Sequence, residues 1–230
     1  MYLLPPDVID PPSWRVPNMS LHLIIGDKRF SSWSLRPALA LALDMIGVPY
    51  TEQVIWLNQP DSRQRALEHS PTGKVPLLKT EHGTIADSLA IIEYLAERFP
   101  EAGLWPQDIA ARAQARSACA QMHSGFMGLR THMGFDLRHD AALDVIPADA
   151  QADIDRIVAL WAECRAAAVE SGPYLFGKLS AADAFFAPVA VRLRTYRVAL
   201  PAEAEAYVET IYQWPAFQRW QKAGLEEVVR

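Results

Sequence analysis

Residues 70–95 read SPTGKVPLLKTEHGTIADSLAIIEYL, and the order of signals in this stretch decides the fold. An apolar strand, Val75 to Lys79, opens on a Val75-Pro76 pair; a turn at Glu81-His82-Gly83 leads into a second short strand, Thr84 to Ala86; Asp87 and Ser88 then open a helix running to Arg98. A proline at the mouth of a strand is compatible with a cis bond that turns the preceding backbone outward. The N–H and C=O of Val75 are then free to pair with an extended ligand. The helix start offers unsatisfied N–H groups and its positive dipole end to a carboxylate, and Asp87 can meet an ammonium group. Together these features match a small anionic peptide with an α-amino acid head and an amide tail.

Upstream, LHLIIG from Leu21 to Gly26 is short, apolar and β-branched, and SLRPALALALDMIG from Ser34 to Gly47 has helical spacing and a glycine stop. YTEQVIWL, Tyr50 to Leu57, reads as a strand, and Pro60 to His69 as a weak helix. The order βαβαββα over residues 20–102 is that of a thioredoxin-like α/β domain. Residues 103–107 read as a linker, after which strand signals stop. Ile109–Met133, Ala148–Glu170, Ala181–Tyr196, Ala202–Trp214 and Pro215–Ala223 all read as amphipathic helices, so residues 108–230 form an all-α domain. Residues 1–19 carry five prolines and read as a disordered lead, with Met19 a candidate initiator.

The 230 residues are 50% apolar, enough to build two packed cores, and the net charge of -5 excludes the global basic surface that nucleic acid or an anionic membrane demands. Cys119 and Cys164 are the only cysteines and lie in Ala-rich helical stretches, which speaks against a disulfide scaffold and for a reducing compartment. No apolar run approaches a membrane span, so a cytoplasmic location is expected. His123, His132 and His139 lack the i, i+4 pairing of a helical metal site, so no metal is expected. Ser180-Ala-Ala-Asp183 has the form of a capping box and is assigned to folding.

The remaining chemistry lies in Arg29-Phe30-Ser31-Ser32-Trp33-Ser34-Leu35-Arg36, a hydroxyl-rich loop ending in a helix. Ser34, next to the helical run, is the natural cap, which leaves Ser31 and Ser32 for a ligand at the helix N-terminus. A hydroxyl donating to a ligand thiol contributes about 1.5–3 kcal/mol to the thiolate, and the helix dipole about 0.3–1, lowering a thiol pKa by roughly one to three units.

These segments resemble the cytosolic glutathione transferases of the serine type, nearest to the zeta class, from about Leu21 to Trp220. The resemblance rests on the serine loop, on Gly73-Lys74-Val75-Pro76-Leu77-Leu78, on Asp87-Ser88-Leu89-Ala90-Ile91-Ile92-Glu93-Tyr94-Leu95, and on the Ser180 to Asp183 cap. It implies that Ser31 or Ser32 donates to the sulfur of glutathione and that Val75, with Pro76 cis, pairs with the cysteinyl unit. Asp87 and Ser88 would hold the γ-glutamyl head, and Lys74 and His69 approach the glycine carboxylate. It implies glutathione as co-substrate, an electrophilic small molecule as second substrate, and a homodimer, with no nucleic-acid or membrane partner. An electrophile pocket is expected on the first long helix of the second domain, with Met122, Phe126 and Arg130 at i, i+4 and i+8 and His123 beside them; Arg130 would meet a carboxylate. The zeta pattern has cysteine after the serine pair where this chain has Trp33, which counts against maleylacetoacetate isomerase as the specific activity. The absence of any cysteine in the loop counts against thiol exchange. The alternatives are a glutathione-dependent cis-trans isomerase and a non-catalytic binding module of the same fold.

Overall fold

The computed structural model describes residues 21–41 and 45–228. The proline-rich lead and Met19 lie outside the described residues, as does the stretch 42–44 within the first expected helix.

Strands β1 (Leu21–Gly26), β2 (Tyr50–Ile55), β3 (Leu77–Thr80) and β4 (Gly83–Ala86) form one sheet in the order β2-β1-β3-β4. β1 runs parallel to β2 and antiparallel to β3, and β3 and β4 form the hairpin expected from the turn at Glu81 to Gly83. β1 is apolar along most of its length because both its faces are covered. Leu21, Leu23 and Ile25 join the main core, while Ile24 packs with Ile55, Leu77 and Ala66 in a smaller cluster beneath α2 (Ser62–Leu67). On the main-core side lie α1 (Ser32–Leu41) and α3 (Ser88–Arg98), which pack on each other. This is the thioredoxin-like α/β layer expected from the sequence.

Leu104 and Trp105 of the expected linker are buried, and Leu104 O accepts from Ala181 N–H at 2.7 Å, so the connection is part of the core. The helices that follow are α4 (Ile109–Ser124), α5 (Met127–His132), α6 (Ala148–Ala166), α7 (Ala181–Thr195), α8 (Ala202–Gln213) and α9 (Pro215–Glu226). α7 is buried along nearly its whole length and packs against α1, joining the two domains through one continuous core. The Ser180 motif behaves as a capping device: Asp183 accepts from Ser180 N–H (2.9 Å), the Ser180 hydroxyl (3.1 Å), Leu175 N–H (3.1 Å) and the Tyr207 hydroxyl (3.1 Å).

The single helix expected over Ile109–Met133 is two. α4 stops at Gly125, Phe126 takes a left-handed φ of 59°, and α5 restarts at Met127. Glycine is a weak helix former, and here the break is stabilised from both sides. Arg130 Nε donates to Gly125 O at 2.9 Å and its Nη2 to Met122 O, satisfying carbonyls at the end of α4. Asp153 accepts Leu129 N–H at 2.9 Å near the start of α5. Gly128 is needed because a Cβ there would lie 2.6 Å from the carbonyl carbon of Asp149, where α5 meets α6.

Candidate active site

At the mouth of α1, Ser31 Oγ accepts from Ser34 N–H at 3.3 Å and donates to Ser34 Oγ at 2.7 Å, and Ser34 Oγ accepts from Gly26 N–H at 3.0 Å. Ser31 is therefore the N-cap, and Ser34, expected in that role, is the third residue of the helix, tying it back to β1. The buried Asp27 shapes the same loop, its carboxylate accepting from Phe30 N–H (3.1 Å) and Leu57 N–H (2.9 Å). Ser32 is different. Its hydroxyl has no partner among the described residues, and it lines a cleft at the N-terminus of α1.

Across that cleft, the Val75-Pro76 bond is cis, and neither the N–H nor the C=O of Val75 has a hydrogen-bond partner among the described residues. Asp87 caps α3 by accepting Leu89 N–H at 2.7 Å. Its backbone sits at φ 83°, ψ 137°, a region costly for any residue with a Cβ, and such strain clusters at ligand sites. The second Asp87 oxygen faces His123 Nε2 at 3.3 Å.

Behind Asp87 stands a buried cation. Arg36 Nη1 donates to Ser88 Oγ at 3.1 Å and approaches His123 Nδ1 at 3.3 Å, while the guanidinium lies 4.3 Å from the Trp33 ring centre and 5.1 Å from that of Phe185. Burial, then the charges of Arg130 and Arg192, pull its pKa down to about 9, so it stays charged at neutral pH. Burial also holds the His123 pKa below its ordinary value; Asp87 opposes this, and Arg36 and Arg130 reinforce it.

A cleft of about 910 Å³ brings together Ser31, Ser32, Lys74, Val75, Pro76 and Asp87. The other residues singled out in the sequence lie elsewhere. The Ser88 hydroxyl is taken by Arg36, so only its main chain is available to a ligand. Met122 and Phe126 are core residues, and the one continuous helix expected to carry them with Arg130 is broken at Gly125. The Arg130 guanidinium serves the α4 carbonyls and lies 5.4 Å from the Trp33 ring centre. His69 is held by Gln53 (3.1 Å) and Lys79 (3.2 Å) outside the cleft lining. Residues passed over in the sequence also line it: Phe30, Trp33, Arg63 and Thr72. Trp33 carried a signal, an aromatic ring among serines; Arg63, in a polar stretch of weak helical pattern, carried none. No group of three or more His, Cys, Asp or Glu among the described residues is arranged to hold a metal ion.

Residues 30–98 match the family model for the glutathione S-transferase N-terminal domain. A probable maleylacetoacetate isomerase of Caenorhabditis elegans is 37% identical over 98 residues, 43% of this chain, and the match spans less than half of that relative, 44% of its length. Two solved structures share the fold at a TM-score of 0.68, each over 91% of this chain and 100% of theirs. One is a glutathione transferase homolog from Burkholderia with bound glutathione, 23% identical. The other is a holo maleyl pyruvate isomerase, a bacterial zeta-class glutathione S-transferase, 24% identical. Ser31, Ser32, the cis Val75-Pro76 junction and the Asp87 cap all fall inside the matched stretch, so over residues 30–98 this chain is similar to the N-terminal domain of the glutathione S-transferases.

Proposed function

We propose that this chain is a glutathione transferase that activates the glutathione thiol through Ser32. The observation that carries the reading is the Ser32 hydroxyl, without a partner among the described residues, at the N-terminus of α1 in one cleft with the open Val75 backbone and the Asp87 carboxylate. In this pose the γ-glutamyl ammonium meets Asp87, its carboxylate takes the N–H groups at the start of α3, and the cysteinyl unit pairs with Val75. The thiol then lies at Ser32, and Lys74 and Arg63 supply positive charge to the glycine carboxylate. The hydroxyl donates to sulfur and favours thiolate, which attacks an electrophilic carbon with no protein base required. A homodimer in the cytoplasm completes the proposal. No helix among the described residues is long and apolar enough to cross a membrane.

A second reading is favoured by the names of the relatives, maleylacetoacetate isomerase and maleyl pyruvate isomerase. The same thiolate adds to a cis double bond, the new single bond rotates, and elimination returns free glutathione with the trans product. Two measurements decide. Retention on glutathione-agarose with ultraviolet absorbance of bound thiolate near neutral pH, lost in Ser32→Ala, supports thiol activation; retention with no thiolate points to a binding module. Product analysis then separates the chemistries, because a chloronitrobenzene yields a thioether and consumes glutathione whereas a maleyl substrate isomerises without consuming it.

A further inference from the structure

The two residues that follow Asp27 in the β1–α1 connection, Lys28 and Arg29, have all their main-chain polar groups bonded to the helical domain. Lys28 N–H donates to Glu227 Oε1 at 2.9 Å and Arg29 N–H to Glu227 Oε2 at 3.0 Å. Lys28 C=O accepts Trp220 Nε1–H at 3.1 Å, and Arg29 C=O accepts Leu137 N–H at 3.3 Å. The Arg29 side chain adds a two-pronged pair to Asp136, both contacts at 2.7 Å. Arg138 ties the outer pieces together, donating its N–H to Asp136 at 2.9 Å and its guanidinium to Leu225 O (2.6 Å) and Glu227 O (3.0 Å).

Packing is as close as the hydrogen bonding. A Cβ on Gly224 of α9 would lie 2.6 Å from Leu137 Cδ1, 3.1 Å from Lys28 C and 3.2 Å from Arg29 N, so glycine is what lets α9 rest against this peptide. A connection needed only to join β1 to α1 would leave such groups in water. Here a carboxylate from beyond α9 takes two successive N–H groups, the second of them three residues before Ser32.

We propose that Glu227 is a positioning residue, its carboxylate latching the Lys28–Arg29 peptide to α9 so that the start of α1 presents Ser32 to the thiol in one fixed geometry. The inference rests on the glutathione chemistry proposed above for what Ser32 does, while the latch itself is a property of the free protein. It acts through pre-organisation: a loop free to wander forms the hydroxyl-to-sulfur bond in only part of its population.

The test uses the full chain with Glu227→Gln, which keeps the size but removes the second acceptor, and Trp220→Phe, which removes one donor from the same latch. In ligand-free protein, hydrogen exchange of the amides at 28–33 is expected to quicken roughly tenfold in Glu227→Gln, with α4 and α7 unchanged. With glutathione bound, the thiolate titration is expected to move upward by roughly half a unit to one unit. The turnover loss is then greatest at acid pH and closes at alkaline pH, while the Michaelis constant for glutathione moves by less than about twofold. Trp220→Phe shows the same pattern more weakly. Unchanged exchange at 28–33 in both variants overturns the latch, whatever glutathione does. Faster exchange with an unmoved thiolate titration overturns the positioning role. A wild-type protein that holds glutathione without forming thiolate overturns the transferase reading and with it the role assigned to Ser32, and exchange alone then decides the latch.

Discussion

Arg36 Nη1 lies 3.3 Å from His123 Nδ1, and because a guanidinium can only donate, this contact places the imidazole proton on Nε2, facing the Asp87 carboxylate 3.3 Å away. Neutral His123 thus relays between the buried cation of one domain and the cleft carboxylate that caps α3. Protonation at Nδ1 would set a second cation against Arg36.

The pH dependence of stability follows. His123 titrates below its ordinary 6.5 in the folded chain, so the unfolded chain takes up the proton first; the stabilisation is complete above that value and is lost as pH falls through the folded pKa. The urea midpoint is expected to drop between neutral pH and about pH 5. His123→Asn, whose side-chain oxygen replaces Nδ1 as acceptor, should show a smaller drop; an equal drop would remove His123 as the cause.

The two cleft serines separate by what they lose. Ser31→Ala deletes the N-cap of α1 and is expected to cost about 1 kcal/mol in thermal or urea unfolding. Ser32→Ala leaves stability within about 0.5 kcal/mol and lowers turnover roughly tenfold to a hundredfold, the worth of one charge-assisted hydrogen bond to sulfur. The reverse pattern would exchange their roles.

Asp87→Asn keeps a cap acceptor and a residue that tolerates positive φ while removing the charge. The Michaelis constant for glutathione is expected to rise roughly tenfold or more. For a thiol peptide lacking the α-ammonium group it should scarcely move, and an equal rise for both peptides would show that Asp87 does not read the ammonium.

Arg130→Ala tests the break between α4 and α5. The Met122 and Gly125 carbonyls lose their donor, so the thermal midpoint falls by the equivalent of about 1–3 kcal/mol. The ratio of Michaelis constants for anionic and neutral electrophiles stays as it is; a selective rise for the anionic one would restore Arg130 to the second-substrate site.

Asp183 is a matter of folding. Burial raises its pKa to about 6 against the hydrogen bonds it accepts, so its stabilising contribution is fullest below about 4 and fades as pH rises through about 6. Asp183→Ala strands the Ser180, Leu175 and Tyr207 donors and is expected to cost about 3 kcal/mol or more by equilibrium unfolding.

Where local pattern and tertiary demand agree, the reading from residues held: the β3–β4 hairpin, the apolar strand β1, the start of α3 at Asp87-Ser88 and the buried cap at Ser180. It failed where the outcome depends on which side chain satisfies a freed backbone group. Gly125 within an otherwise helical pattern is tolerated or not according to what satisfies the freed carbonyls, and that is Arg130 reaching back. Ser34 looked like a cap because apolar spacing begins there, but the backbone enters the helix earlier and Ser31 accepts the N–H.

The sequence by itself determined the βαβαββα order, the helical second domain and which polar residues stand at the helix N-termini, because period, turn chemistry and capping are local properties. Only the tertiary structure decided which hydroxyl is free, since Ser31 and Ser34 satisfy each other and Ser32 is left to the cleft. It alone put Arg36 behind Asp87 through His123, and Glu227 against Lys28 and Arg29, because residues far apart in the chain meet only once the helical domain closes on the sheet.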